Sequence, residues 1–145
     1  QVLAIYDLAQ RRDVRVLKTN VGGLGVGAAL DPAWSPDGRT LAFAGSKDGI
    51  SDLYLYDLST NQLTQLTQDK AAQLQPQWSP DGRTLAFVTD EGPTTSFERF
   101  TFGPMRLATM DVDSRRVTLV EGFPNARHIN PHWSPDGSAL YFVAD

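Results

Sequence analysis

Three serines share one repeated setting, and two histidines lie four residues apart beside the last of them. Ser35, Ser79 and Ser134 each sit in the string Trp-Ser-Pro-Asp-Gly. A nucleophilic serine needs a histidine to take its proton and a third group to orient that histidine. A hydrolase elbow also needs Gly-x-Ser-x-Gly. Neither condition is met, because His128 and His132 are the chain's 2 histidines and both adjoin the third copy of the string. No catalytic residue is expected.

His128-Ile129-Asn130-Pro131-His132 has the i, i+4 spacing that puts two imidazoles on one face of a helix, as zinc sites do. Pro131 and the strand pattern that follows oppose a helix. In extended backbone the two rings stand about 13 Å apart at ~3.3 Å per residue, too far for one metal. His132, which aligns with Ala33 and Gln77, is therefore expected as a partly exposed strand residue. Asp37, Asp81 and Asp136 recur in the Pro-Asp-Gly turns, where a carboxylate accepts backbone amides without an ion. A spaced Asp-x-Asp-x-Asp-Gly calcium loop is missing, and Asp111-Val112-Asp113 alone does not make one. Gly22-Gly23-Leu24-Gly25-Val26-Gly27 resembles a phosphate cradle but lacks the Lys-Ser/Thr pair and the helix. It reads as a connection between strands. No metal and no cofactor are expected.

The elements that position these residues are set by an internal repeat. Pro32–Phe43, Pro76–Phe87 and Pro131–Phe142 align without gaps as PAWSPDGRTLAF, PQWSPDGRTLAF and PHWSPDGSALYF. Trp78 follows Trp34 by 44 residues, and Trp133 follows Trp78 by 55. The first spacing is that of a four-stranded propeller blade, about 40–45 residues, and the second is a blade with an insertion. Within each copy the Ser-Pro-Asp-Gly turn closes a hairpin. The strand after it, such as Leu85-Ala86-Phe87-Val88, is apolar throughout and so is expected to be covered on both faces. The tryptophans, fixed before every turn, are expected to pack between blades.

A second block also recurs. Leu53–Leu58 with Gln62–Leu66 matches Leu107–Val112 with Arg116–Val120, and Leu3–Leu8 with Val14–Leu17. Naming a blade's strands A to D, the chain reads C-D, A-B-C-D, A-B-C-D, A-B. The fold class is all-β: a β-propeller of four-stranded antiparallel blades, three blade-equivalents in all. One propeller segment over 1–145 is expected, with half-blade 1–17, blade 32–67, blade 76–120 carrying insertion 91–104, and half-blade 131–145.

WSPDGRTLAF followed by LYLYDLSTNQLTQLT resembles the TolB-type, WD-repeat-like propeller family over almost the whole chain. The resemblance implies a ring of blades around a central channel and a periplasmic or secreted setting. It implies a protein-interaction scaffold; since related propellers gate serine peptidases of the prolyl-oligopeptidase and tricorn kinds, the alternative is an accessory domain of a serine or metallopeptidase whose catalytic domain lies outside this chain. A shared fold does not carry a shared function.

Composition narrows the partners. The chain has 145 residues, 41% hydrophobic, a net charge of −4 and no cysteine, which excludes disulfides and thiolate metal sites. Its 13 Lys and Arg are scattered, so no nucleic-acid partner is expected. No apolar run of 18 residues is present, so no membrane span is expected. The chain opens at Gln1 without a leader and reads as a processed product or an excised piece.

Function is expected where the blades differ. In a meander the A–B and C–D turns share one face and the B–C and D–A loops the other. The second face collects Thr19–Leu30, Gly45–Ser51, Gln68–Gln75, Asp90–Pro104 and Glu121–Asn130. Ten extra residues fall within Glu91–Pro104 and include Phe97, Arg99, Phe100 and Phe102, residue types enriched in interfaces. Arg127 and His128 join them as candidate partner-binding residues for a protein or peptide. The alternative is that the phenylalanines fold back to plug the channel. The half-blades at the two ends also suggest a two-fold homodimer that closes a six-bladed ring, or completion by further sequence.

Overall fold

The computed structural model describes residues 3–18, 26–123 and 125–145. Among them are twelve strands and no helix: β1 (Leu3–Asp7), β2 (Arg12–Leu17), β3 (Ala28–Trp34), β4 (Thr40–Lys47), β5 (Ile50–Asp57), β6 (Leu63–Gln65), β7 (Gln73–Trp78), β8 (Thr84–Thr89), β9 (Arg106–Asp111), β10 (Val117–Leu119), β11 (His128–Trp133) and β12 (Leu140–Ala144). They form antiparallel sheets β1-β2, β3-β4-β5-β6, β7-β8-β9-β10 and β11-β12. This is the expected order of two full blades flanked by half-blades, and the ring is not closed. Residues 19–25, which hold Gly22–Gly25 of the expected glycine connection and more than half of the expected 19–30 loop, lie outside the described residues.

Each A–B turn is locked by its own side chains. Ser35 Oγ donates to Asp37 Oδ1 at 2.6 Å and accepts Thr40 N at 2.9 Å, while Asp37 Oδ1 also accepts Arg39 N at 3.0 Å. Gly38 takes φ 70°, a conformation that a side chain would disfavour. The turns at Ser79–Thr84 and Ser134–Ala139 repeat these bonds. The serine hydroxyls are thus occupied in turn closure. The Ser134 hydroxyl and the Ser138 amide hold Asp136 down to about 2, and the same bonding lowers Asp37 and Asp81.

The first strand of every blade carries a bulge that the sequence reading did not foresee. Asp31, Gln75 and Asn130 adopt φ 52°, 56° and 54°, each just before the repeated proline, and the register shifts there. The left-handed residue absorbs the extra length of the bulged strand, and the proline, with no N–H, needs no ladder partner.

Packing alternates along β4. Leu41 and Phe43 face back onto Leu3, Leu17, Val26, Tyr54 and Tyr56. Ala42 faces forward into a cluster with Leu53, Leu66, Leu85, Phe87 and Met110. Both faces of the strand are therefore covered, as its continuous apolar run requires. Phe43 stacks on Tyr54 with centroids 5.6 Å apart.

The tryptophans link blades only where a preceding A strand exists. Trp78 Nε1 donates to Ala33 O at 3.2 Å, and Trp133 Nε1 donates to Gln77 O at 3.1 Å. Both are half-buried rather than fully buried. Trp34 departs from the expectation and is 50% exposed, because the sheet before it supplies only β1 and β2. The turns show the same asymmetry. Pro36 packs over Gly82 and Pro80 over Gly137, whereas no described residue stands over Gly38.

Candidate functional site

The loop face is set by how the B–C connections are made. In the first full blade β4 and β5 run on to Lys47 and Ile50 and close through Asp48-Gly49, both at positive φ (53° and 85°). Gly45–Lys47 and Ile50–Ser51 therefore belong to strands, not to the expected Gly45–Ser51 loop; an Asp-Gly pair between strands is a two-residue hairpin signal. In the next blade the same connection is the insertion. Ser96 and Thr101 pair across it, Ser96 N to Thr101 O at 2.7 Å and Thr101 N to Ser96 O at 3.1 Å. Its base is gathered by Thr95 Oγ1, which donates to Asp90 O and accepts Gly103 N.

The structure separates the six candidate residues into two groups. Phe97 and Phe100 lean together at the tip of the insertion, centroids 6.2 Å apart, with Phe100 77% and Phe102 62% exposed and Arg99 exposed between them. Lys70, in the D–A loop of the preceding blade, reaches Glu98 at 3.4 Å. Arg127 and His128 are not part of that tip. Arg127 is tied to Asp145 by Nε to Oδ1 at 3.2 Å and Nη2 to Oδ2 at 2.9 Å. His128 is 3% exposed and opens β11, a correction to its expected place in the Glu121–Asn130 loop. Its Nδ1 accepts Leu107 N at 3.1 Å, and its ring packs on Phe142 at 4.8 Å. His132 is exposed, as read.

Behind the insertion lies a cavity of about 530 Å³, lined by Glu91, Gly103, Arg106, Glu121, Phe123 and His128 among others. His128 Nε2 is buried without a partner among the described residues. Since Nδ1 is an acceptor, the neutral ring carries its proton on Nε2 and offers a donor there. No cluster of three metal-binding side chains occurs among the described residues, and no described helix is long and apolar enough to cross a membrane.

The sequence pattern of the TolB beta propeller domain matches residues 5–144. The chain belongs to this family. A TolB homolog from Protochlamydia amoebophila (strain UWE25) is 54% identical over 37 residues, 26% of this chain and 8% of that protein. The TolB-type architecture is matched in space by the structure of a putative TolB from Agrobacterium tumefaciens, with TM-score 0.71 and 27% identity, over 90% of this chain and 41% of that one. TolB from Acinetobacter baumannii gives TM-score 0.71 at 23% identity, over 98% of this chain and 31% of its own. This TolB-type chain thus spans less than half the length of those relatives.

Sequence reasoning missed Arg106 and Phe123. The signal was in the repeat itself. Counting from the Asp that ends strand C, Arg106 stands where the preceding TolB blade has Asp52, and Phe123 where it has Asp69.

Proposed function

We propose that the chain is a non-catalytic propeller scaffold whose loop face receives a protein or peptide partner through Phe97, Arg99, Phe100 and Phe102, with Arg127 and His128 behind them. One observation carries this reading. An insertion that the neighbouring blade does without holds two phenylalanines in solvent, against the cost of exposing apolar surface. The plug reading is disfavoured by the same exposure. Use of the repeated serine hydroxyls in turn closure supports a non-catalytic role, and the TolB relatives support a periplasmic or secreted setting.

The test is a displayed peptide library selected on the protein. Selected peptides are expected to lose at least tenfold in affinity for Phe100→Ser and Phe102→Ser, and none for Arg115→Ser on the opposite face. Peptides that bind both phenylalanine variants at full strength would overturn the reading.

A further inference from the structure

Two blade junctions built from the same repeat differ in polarity. Between the two full blades the buried glutamine finds its acceptor within the chain. Gln73, buried five residues before Trp78, donates through Nε2 to Asp69 Oδ1 at 2.9 Å. Asp52 accepts Gln65 Nε2 at 3.1 Å and lies 3.1 Å from the Thr67 hydroxyl, which in turn accepts Leu53 N. Two carboxylates therefore serve this junction.

At the next junction the corresponding positions carry the opposite chemistry. Counted back from the tryptophan, His128 replaces Gln73, and counted from the Asp that ends strand C, Arg106 replaces Asp52 and Phe123 replaces Asp69, the loop between the two frames being one residue longer. The backbone bond survives in altered form: Leu107 N, the counterpart of Leu53 N, now goes to His128 Nδ1. The acceptors do not survive. His128 Nε2–H is left without one, and Arg106, half-buried, makes no ion pair among the described residues. A buried unpaired donor is destabilising, and both groups line the same 530 Å³ cavity.

We propose that this cavity is a carboxylate-binding subsite. A ligand carboxylate takes the place that Asp69 and Asp52 hold one blade earlier, accepting from His128 Nε2–H and pairing with the Arg106 guanidinium, with Phe123 against its carbon stem. Arginine and carboxylate form strong charge-assisted bonds, more so out of water. Three carboxylates also line the cavity: Glu91 and Glu121 are exposed, so solvent and salt screen their repulsion, while the buried Asp90 accepts the Ala72 amide through Oδ1 at 2.7 Å. Resting on the peptide-binding reading of this face, the proposal makes the ligand an acidic side chain or a C-terminal carboxylate.

The two sources are separable with small probes. The imidazole nitrogens of His128 and the amide of Leu107 are followed by NMR while N-acetyl-glutamate α-amide, N-acetyl-alanine and N-acetyl-glutamine α-amide are titrated in. At least one of the first two is expected to shift both signals saturably, and whichever does identifies the source. The glutamine probe is expected to bind at least tenfold more weakly. Arg106→Asp, which installs the preceding blade's residue, is expected to abolish the shift, Arg106→Lys to keep part of it, and Glu121→Gln to tighten binding. Absence of a saturable shift with both carboxylates, equal binding of the glutamine probe, or undiminished binding by a folded Arg106→Asp protein would overturn the subsite. Failure of the probes together with loss of selected peptides in Phe100→Ser removes the subsite and leaves the loop reading. The reverse pattern removes the loop reading alone.

Discussion

Trp78 Nε1 donates to the carbonyl of Ala33, the residue immediately before the tryptophan of the preceding blade. Trp133 does the same to Gln77, so each A strand carries its own donor beside the acceptor for the next.

Replacing Trp78 with Phe keeps most of the ring and deletes the donor. The expected cost is about 1 kcal/mol for the bond, a fall of roughly 2–4 °C in Tm for a domain of this size. Trp34→Phe is expected to be neutral wherever no blade precedes it and to cost as much as Trp78→Phe where one does. Thermal melts of the two variants measure this directly.

What covers the open sides is accessible to mass measurement. We propose two ways of covering them, a second copy of this chain or further blades of the same polypeptide. Light scattering is expected to give twice 15.9 kDa for the 145-residue chain if copies close the ring. A folded monomer would exclude the dimer.

Gly45 has no room for a side chain. An added Cβ would lie 2.7 Å from the Tyr54 ring and 2.8 Å from Val26 Cγ1. Gly45→Ala is expected to destabilise by about 1–3 kcal/mol through overpacking, seen as a lower urea midpoint.

Acid should loosen the turns in a defined window. Hydrogen bonds from serine hydroxyls and backbone amides hold Asp57 and Asp136 down to about 2. A carboxylate whose folded pKa lies below its unfolded value stabilises the fold above the unfolded value, near 4, and loses that contribution as pH falls toward 2. Asp136→Asn is expected to lower Tm at pH 7 and to leave it nearly unchanged at pH 2. An equal loss at both pH values would show that the charge is not what matters.

The insertion is separable from the frame. Replacing 91–104 with the two-residue Asp-Gly connection of the preceding blade is expected to preserve the β-sheet circular dichroism and cooperative melt while abolishing peptide binding. Loss of the fold would assign the phenylalanines to the core.

The repeat made the blades legible because turn chemistry and strand hydrophobicity are local: Ser35, Asp37 and Gly38 satisfy one another within four residues. The strand order followed from the same periodicity. The bulges at Asp31, Gln75 and Asn130 were not legible, since they answer to the pairing of β3, β7 and β11 with their neighbours rather than to residue type. The candidate site was half legible. Exposed phenylalanines announced themselves by composition, whereas the burial of His128 depends on Phe142 and Leu107, which reach it only through packing. Arg106 became meaningful only when set against Asp52.

The tryptophan bonds also have a direction. Every donor lies later in the chain than its acceptor, and every blade's ladder closes between neighbouring strands. A chain emerging from the ribosome therefore finishes Ala33's strand before Trp78 has been made. That order allows each new blade to dock on a surface already folded, in step with synthesis.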